Sequence, residues 1–323
     1  MMGEVSIGLP LYKRLDFLPA VLRSIMGQDY PNIELIVSDN GMNGSRIRAL
    51  IDRDYPKNYK FRQNPSIVTM STHFNQIIHA ASGKYFMILC DDDEISSNYV
   101  SELVTVLDRY PEATIAVSRQ EIMDKSGQPL GASSERLPPL LRGPEFIKAT
   151  WDSRRYRFFG FASILARTED LRAAGGYPEF WKGLSHDDAL VVKLCLDRAV
   201  ALCDRCTFRK RVYESSHGSS ISIQDMAQAT KQLFGFLDSD PKFQHFASAN
   251  PAEWKQLKNI IGKMNWQFYF QRWKELDPNR LTTLQWLKAG FALPFIPAYY
   301  REVVRTLAET STRSMRLQAK KFF

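Results

Sequence analysis

Three consecutive carboxylates, Asp91-Asp92-Asp93, hold the densest chemistry in this chain. They follow Tyr85–Leu89, a short apolar run after Ser82-Gly83, which predicts a buried central strand. Adjacent carboxylates raise one another's pKa unless a cation joins them. Magnesium or manganese takes oxygen from one or two carboxylates and fills its remaining positions with water and substrate phosphates. Open α/β sheets bind ligands beyond the carboxyl ends of their strands. There the triplet reads as a metal–diphosphate anchor; elsewhere it would be a solvated turn capping a helix from Ser97 or Asn98. A second acidic pair, Asp187-Asp188 after His186, opens a helical pattern, where carboxylates complement the helix dipole. Cys203 and Cys206 form a lone CxxC with no second pair or nearby histidine, so two thiols near a strand is the simpler reading than zinc.

These groups need a frame. Glu4–Leu9 is an expected strand, followed by a turn at Pro10–Arg14 and a helix carrying Leu15, Leu18, Val21, Leu22, Ile25 and Met26. A second strand spans Ile33–Ser38 and ends on Asp39-Asn40-Gly41. Helix Asn43–Arg53, strand Lys60–Arg62 and helix Met70–Ala81 then lead to the acidic triplet. Helix Asn98–Tyr110 and strand Thr114–Ser118 continue the order, which predicts an α/β fold with a largely parallel sheet covered on both faces. Asp124–Gly143 reads as a long mobile loop. After an aromatic, basic stretch at Trp151–Ala166 come a short helix from Thr168 to Gly175-Gly176, the His186–Arg198 helix, strands at Val200–Cys203 and Phe208–Tyr213, and a loop at 215–220.

At 323 residues, with 44% hydrophobic and 24% charged residues, the chain is long enough for about two globular domains. The amino terminus enters a strand directly and no apolar run reaches eighteen residues, so neither a secretory leader nor a spanning helix is expected. Four cysteines without a disulfide framework suit a reducing cytosol. The net charge of +8 predicts an anionic partner; without a recognisable reading motif, nucleic acid is not expected to be it. Beyond Ile221 only helical patterns remain, at Met226–Leu237, Ala252–Leu276, Thr282–Ala292 and Ala298–Thr310. This predicts a helical extension over 221–323 after a first domain at 1–220. Its aromatics (Trp254, Trp266, Phe268, Tyr269, Phe270, Trp273, Trp286) and terminal cations fit either a membrane-surface tail or a subdomain packed on the core.

The ordered set of pieces over residues 4–220 resembles the family 2 glycosyltransferases, inverting nucleotide-sugar enzymes of the GT-A fold. The opening VSIGLPLYKRLDFLPAVLRSIMGQDYPNIELIVSDNG is similar to that family's amino-terminal pattern: strand, Pro-x-Tyr turn, helix ending in Ser-(x)3-Gln, and a second strand ending in Asp. The resemblance implies a mixed GT-A sheet flanked by helices. It assigns Pro10, Tyr12 and Asp39 to the nucleotide base, where an aromatic ring can stack and a carboxylate can accept an imide N–H. Arg14 joins the donor-binding set. Asn75 matches a family asparagine, while the neighbouring His73 reads as structural. Asp91 or Asp92 meets the ribose, Asp93 binds a manganese or magnesium ion bridging the diphosphate, and His217 falls where many GT-A enzymes place a metal-ligating histidine. Asp187 and Asp188 resemble the family's acidic base motif; spacing favours Asp187 as the base, in a role that takes a proton from the acceptor hydroxyl. Gly160 and Trp181 match loops that frame the acceptor. The implied activity is transfer from a nucleotide-sugar, with a UDP-sugar as the expected donor, to a glycan or lipid-linked glycan hydroxyl in surface-polysaccharide synthesis. The implied setting is cytoplasmic, with peripheral contact at the inner face of the cytoplasmic membrane as one reading of the tail. A non-catalytic sugar-nucleotide or glycan binder is the alternative, with an aspartyl-phosphate phosphotransferase behind it.

Overall fold

The computed structural model describes residues 5–132, 136, 138–152, 160–213 and 223–276. The strands are β1 (Val5–Leu11), β2 (Ile33–Asp39), β3 (Lys60–Gln63), β4 (Tyr85–Ile88), β5 (Glu94–Ile95), β6 (Ala113–Met123), β7 (Pro129–Ala132), β8 (Leu140–Arg142), β9 (Ile164–Arg167) and β10 (Ala199–Arg211). The helices are α1 (Leu18–Met26), α2 (Ser45–Asp54), α3 (Met70–Ala80), α4 (Tyr99–Arg109), α5 (Gly143–Ile147), α6 (Thr168–Ala173), α7 (His186–Cys195), α8 (Ile223–Ser239), α9 (Pro241–Ala249) and α10 (Pro251–Leu276).

One mixed sheet runs β3-β2-β1-β4-β9-β6-β10-β5, with β7 on β6 and β8 on β10. Strands β3, β2, β1 and β4 are mutually parallel, and β9 is inserted antiparallel between β4 and β6. The central strands β1 and β4 are buried along their whole length because both faces are covered. Period-two alternation sends Leu35, Val37, Tyr85 and Met87 to the side of α1, α2 and α4, and Ile36, Phe86 and Ile88 to the other. That second face is closed by α7 together with α8–α10. Leu233, Leu237, Phe243, Trp254, Leu257 and Ile261 join the same buried cluster as Phe86 and Ile115. Phe243 stacks on Trp254 at 5.4 Å.

Differences from the expected elements have local causes. β1 continues through Pro10 to Leu11, paired with Ser38 and Asp39. Gly8 accepts the Leu89 N–H, and Pro10 points the same way, where β4 has already left the ladder. The missing proline donor therefore costs no strand hydrogen bond. α1 begins at Leu18, with Pro19 in its first turn. The stretch from Asp124 to Gly143 is not a loop throughout. Asp124 accepts the Ser126 and Gln128 N–H groups (2.8 and 2.9 Å), which closes a turn that lays β7 against β6; β8 pairs with β10. The two strands expected around Cys203 and Phe208 are one strand, β10, whose register slips from Cys203↔Ser118 to Thr207↔Arg119. Both CxxC thiols are buried at this bulge. α9 was not expected, although Asp240 followed by Pro241 is a helix-start signature, and Asp240 accepts the Lys242 N–H.

Gln28, the last residue of the Ser-(x)3-Gln pattern, ties α1 to the turn before α4. Its amide donates to Ser24 O and Ser96 O (2.9 and 2.7 Å) and accepts the Val100 N–H (3.0 Å). His73 is buried against Ser38, with 2.9 Å between Nε2 and Oγ, and burial pushes its pKa from 6.5 down to about 4. In acid the unfolded chain takes up this proton first. His73 should therefore cost the fold on the order of 3 kcal/mol as pH falls from about 6.5 to 4, at 1.36 kcal/mol per unit. Thermal melts across this range should fall less steeply for His73→Gln than for the wild type; parallel slopes would contradict this burial effect.

Candidate active site

The carboxyl ends of β1, β2 and β4 lie side by side, and each delivers expected site residues: Pro10 to Arg14, Asp39 with Asn40, and Asp91 to Asp93. Tyr12 is 44% exposed and offers a free ring face, with the Lys13 ammonium 5.2 Å from its centroid. Asp39 is fully buried. Its oxygens accept the N–H groups of Gly41 (2.8 Å), Asn43 (2.7 Å) and Gly44 (3.4 Å), and the Asn43 amide (2.9 Å), so it shapes the 41–44 loop. Asn40 is equally committed, bonded to Val68 and Asn64. A Cβ on Gly41 would lie 1.9 Å from Tyr12 O, so this loop closes onto the β1 turn only as glycine. Asn75 uses both ends of its amide on the Tyr177 main chain (2.9 and 2.8 Å), tying α3 to the turn after Gly176.

The acidic turn is neutralised from within. Arg14 donates to Asp91 (2.8 Å) and Asp92 (2.9 Å), and its guanidinium lies 4.9 Å from the Tyr213 ring centroid. The Tyr213 hydroxyl donates to Asp92. Asp93 is 6% exposed and accepts the Arg211 N–H at 3.0 Å. Arg211 is itself buried. It holds Asp92 O (2.9 Å), Glu94, and the carbonyls of Asp124 and Lys125, stacked 4.7 Å from the Phe17 ring. Burial and then the charge of Asp92 push Asp91 up to about 6, and the same two causes raise Asp93. A polar groove of about 530 Å³ beside α1 adjoins this turn through Glu94, Lys125 and Arg211.

The second acidic pair lies on the first turn of α7. His186 is buried, with Nδ1 2.8 Å from Ser71 Oγ and its ring against Tyr177 (4.7 Å) and Phe74 (5.8 Å). It anchors α7 to α3, leaving Asp187 and Asp188 at the half-buried surface. Gly160 has φ +79°, and a Cβ there would lie 2.2 Å from Asp187 Oδ2, so the carboxylate rests on the glycine α-carbon. Gly160→Ala therefore adds left-handed strain of about 1–3 kcal/mol and displaces Asp187. Turnover is expected to fall at least about tenfold with nucleotide affinity unchanged; wild-type turnover would show that Asp187 tolerates the shift.

Burial and the charge of Asp187 raise Asp188 well above the carboxylate range, while Lys210 pulls it down. Lys210 acts in the same direction on Asp93 and on the thiol of Cys90. One lysine at the end of β10 thus serves both acidic motifs. Sequence reasoning missed Lys210, Arg211 and Tyr213; three successive cations, Arg209-Lys210-Arg211, ending an otherwise buried strand were the available signal. His217, the loop at 215–220, the tail beyond 276 and the aromatic side chains from Trp266 onward lie outside the described residues.

Among the described residues no group of three or more His, Cys, Asp or Glu side chains is arranged to hold a metal ion. The turn instead has the chemistry of a site with one or two carboxylates, to be completed by phosphate and water. Burial and the neighbouring carboxylates raise Asp91 and Asp93 even with Arg14 in place, and a divalent cation would oppose that rise.

The fold sets an acidic turn at the end of a central strand of a mixed sheet, with a second carboxylate pair on the first turn of α7. The model of glycosyl transferase family 2 matches residues 6–172, and the chain belongs to that family. An uncharacterized glycosyltransferase of Rickettsia conorii is 28% identical over 153 residues, 43% of this chain and 25% of that protein. The GalNAc(5)-diNAcBac-PP-undecaprenol beta-1,3-glucosyltransferase of Campylobacter jejuni is 30% identical over 110 residues, 32% of this chain and 34% of that protein. The chain thus spans about a quarter to a third of the length of these curated relatives. In fold it is similar to S. aureus TarS 1-349 in complex with UDP-GlcNAc (16% identity, TM-score 0.64, 90% of this chain and 82% of that one). It is also similar to the Pyrobaculum calidifontis mannosyltransferase PcManGT in complex with GDP-Man and Mn2+ (15%, 0.57, 98% and 81%).

Proposed function

We propose that this glycosyltransferase moves a sugar with inversion from a nucleotide-sugar, a UDP-sugar first among them, to a hydroxyl of a glycan or lipid-linked glycan. The observation that carries this reading is the acidic turn beside the carboxyl ends of β1 and β2, together with Asp187 held against Gly160 on the first turn of α7. Tyr12, beside Pro10, offers an exposed ring for the base. Asp39 supports that pocket by shaping the 41–44 loop, and contacts the imide only if that loop opens. Asp91 or Asp92, both braced by Arg14, meets the ribose, and Asn75 ties α3 to the turn after Gly176.

Asp93 is the protein ligand for manganese or magnesium, with His217 as its expected companion. When bound, the ion supplies positive charge to the departing diphosphate. Burial and the charge of its neighbour raise the pKa of Asp188, which favours Asp187 as the base. Asp187 takes the acceptor hydroxyl proton as the oxygen attacks the anomeric carbon. The bond from that carbon to the diphosphate breaks on the opposite face, and its electron pair leaves with the nucleotide. The lipid-linked acceptor named for the Campylobacter relative and the UDP-GlcNAc in the TarS structure support the acceptor and donor classes. A domain at 1–220 followed by a helical part at 221–323 is the organisation we assign; of that part, α8–α10 share the buried cluster of the sheet face. In the described residues no helix is long and apolar enough to cross a membrane.

Calorimetry with UDP, GDP, CDP and dTDP, each with manganese and then with EDTA, tests the donor site. One nucleotide should bind strongly and only with metal. No metal-dependent binding to any of them would overturn the donor assignment.

A further inference from the structure

We infer that helices α8 and α10 are working parts of the catalytic site, with Asn265 and Asp225 as positioning residues for the base-bearing turn of α7. This rests on the reading of Asp187 as the base.

The segment before α7 is strained. Lys182 (φ 53°), Gly183 (φ 69°) and Ser185 (φ 60°) all occupy the left-handed region within four residues, and two of them carry a Cβ. Such conformations cost about 1–3 kcal/mol each and persist only where the surroundings enforce them. The surroundings here come from the carboxyl-terminal helices. Asn265 on α10 is 2% exposed and donates from Nδ2 to Ser185 Oγ at 2.6 Å. Its carbonyl accepts the Thr230 hydroxyl of α8 at 2.7 Å. A buried three-residue relay, Thr230–Asn265–Ser185, therefore ends on the N-cap of the helix that carries Asp187 two residues later.

At the other end of the turn, Asp225 of α8 is buried and accepts two donors. The Trp181 indole N–H reaches one oxygen at 2.6 Å and the Lys182 ammonium the other at 2.8 Å. The Gln232 amide oxygen accepts the Trp181 N–H of the main chain. Leu184 packs against Met226 and Ala229. Lys193 of α7 pairs with Asp240 before α9 at 2.7 Å, which fixes the far end of the same helix. The sheet side contributes the Gly160 contact and the His186–Ser71 hydrogen bond. Asp187 is thus set between the sheet layer on one side and the carboxyl-terminal helices on the other. The same Asp225 carboxylate orients Trp181, whose side chain stays 49% exposed.

Asn265→Ala and Asp225→Asn, made in the full chain, would be read in three ways. These are manganese-dependent UDP binding by calorimetry, nucleoside-diphosphate release from UDP-GlcNAc, UDP-glucose and GDP-mannose, and amide hydrogen exchange. For Asn265→Ala we expect UDP affinity within about threefold of wild type and turnover lower by at least about tenfold. Exchange at residues 186–190 should rise by about tenfold, while amides 41–44 keep their protection. Adding Ser185→Gly should recover part of the loss, because glycine holds the left-handed conformation without a tether.

Unchanged turnover and exchange would overturn the inference. So would a loss that falls equally on UDP binding and is untouched by Ser185→Gly, the mark of general destabilisation. If Asn265→Ala is silent while Asp187→Asn abolishes turnover, positioning fails and the base assignment stands. If Asp187→Asn is silent or no donor turns over, the base reading fails, and exchange at 186–190 alone decides whether these helices hold the turn.

Discussion

Asp187→Asn is expected to lower turnover by about 10²–10⁴-fold, the range contributed by a positioned general base. Nucleotide affinity should stay within about threefold, because the substitution lies on α7 and leaves the β1, β2 and β4 ends untouched. Asparagine keeps the volume that rests on Gly160, so the packing at that contact survives and only the proton acceptor is lost. Asp188→Asn makes the complementary case. Burial and the charge of Asp187 push its carboxyl well above the ordinary carboxylate range, so an amide there should cost less than about tenfold in rate, under about 1.4 kcal/mol. Release of nucleoside diphosphate and transfer to a glycan acceptor, followed for both variants, separate the roles. Full activity in Asp187→Asn with loss in Asp188→Asn would move the base one residue along the helix.

Asp93→Ala should weaken nucleotide binding in manganese by at least about 100-fold, or about 2.7 kcal/mol, and bring it to the level of wild type in EDTA. The alanine also leaves the Arg211 N–H without its acceptor at a buried position. Asp93→Asn keeps that hydrogen bond and removes only the charge, so it isolates the metal effect. Both variants should fall together in manganese and match the wild type in EDTA. If Asp93→Asn binds nucleotide as the wild type does in manganese, the metal is held elsewhere. If both lose binding in EDTA as well, Asp93 is a structural support for β10 rather than a ligand.

Much of the frame was legible because local patterns and global fold agree. Val5–Leu11, Ile33–Asp39 and Tyr85–Ile88 are short apolar runs ending on polar turns, which in a sheet covered on both faces is the signature of parallel strands. The identity of the acidic turn followed from its place after such a strand. The mixed GT-A sheet expected from the motif order is the one observed.

What failed did so where tertiary contacts outweigh composition. Asp124–Gly143 is rich in turn formers, yet the long edge of β6 and the length of β10 give β7 and β8 something to pair with. The CxxC region reads as two strands because the bulge after Cys203 interrupts the apolar alternation.

The sequence by itself determined the strand–helix order from β1 to β4, the acidic turn and the second carboxylate pair, since each depends on residues close together in the chain. Only the tertiary structure decided what neutralises those acids and what holds them. The charge of Lys210 acts on Asp93 and Asp188 from another element, and Arg14 crosses 77 residues to reach Asp91. Asn265 reaches Ser185 from 80 residues away. Buried charges and strained turns need partners, and chain folding, not chain order, supplies them.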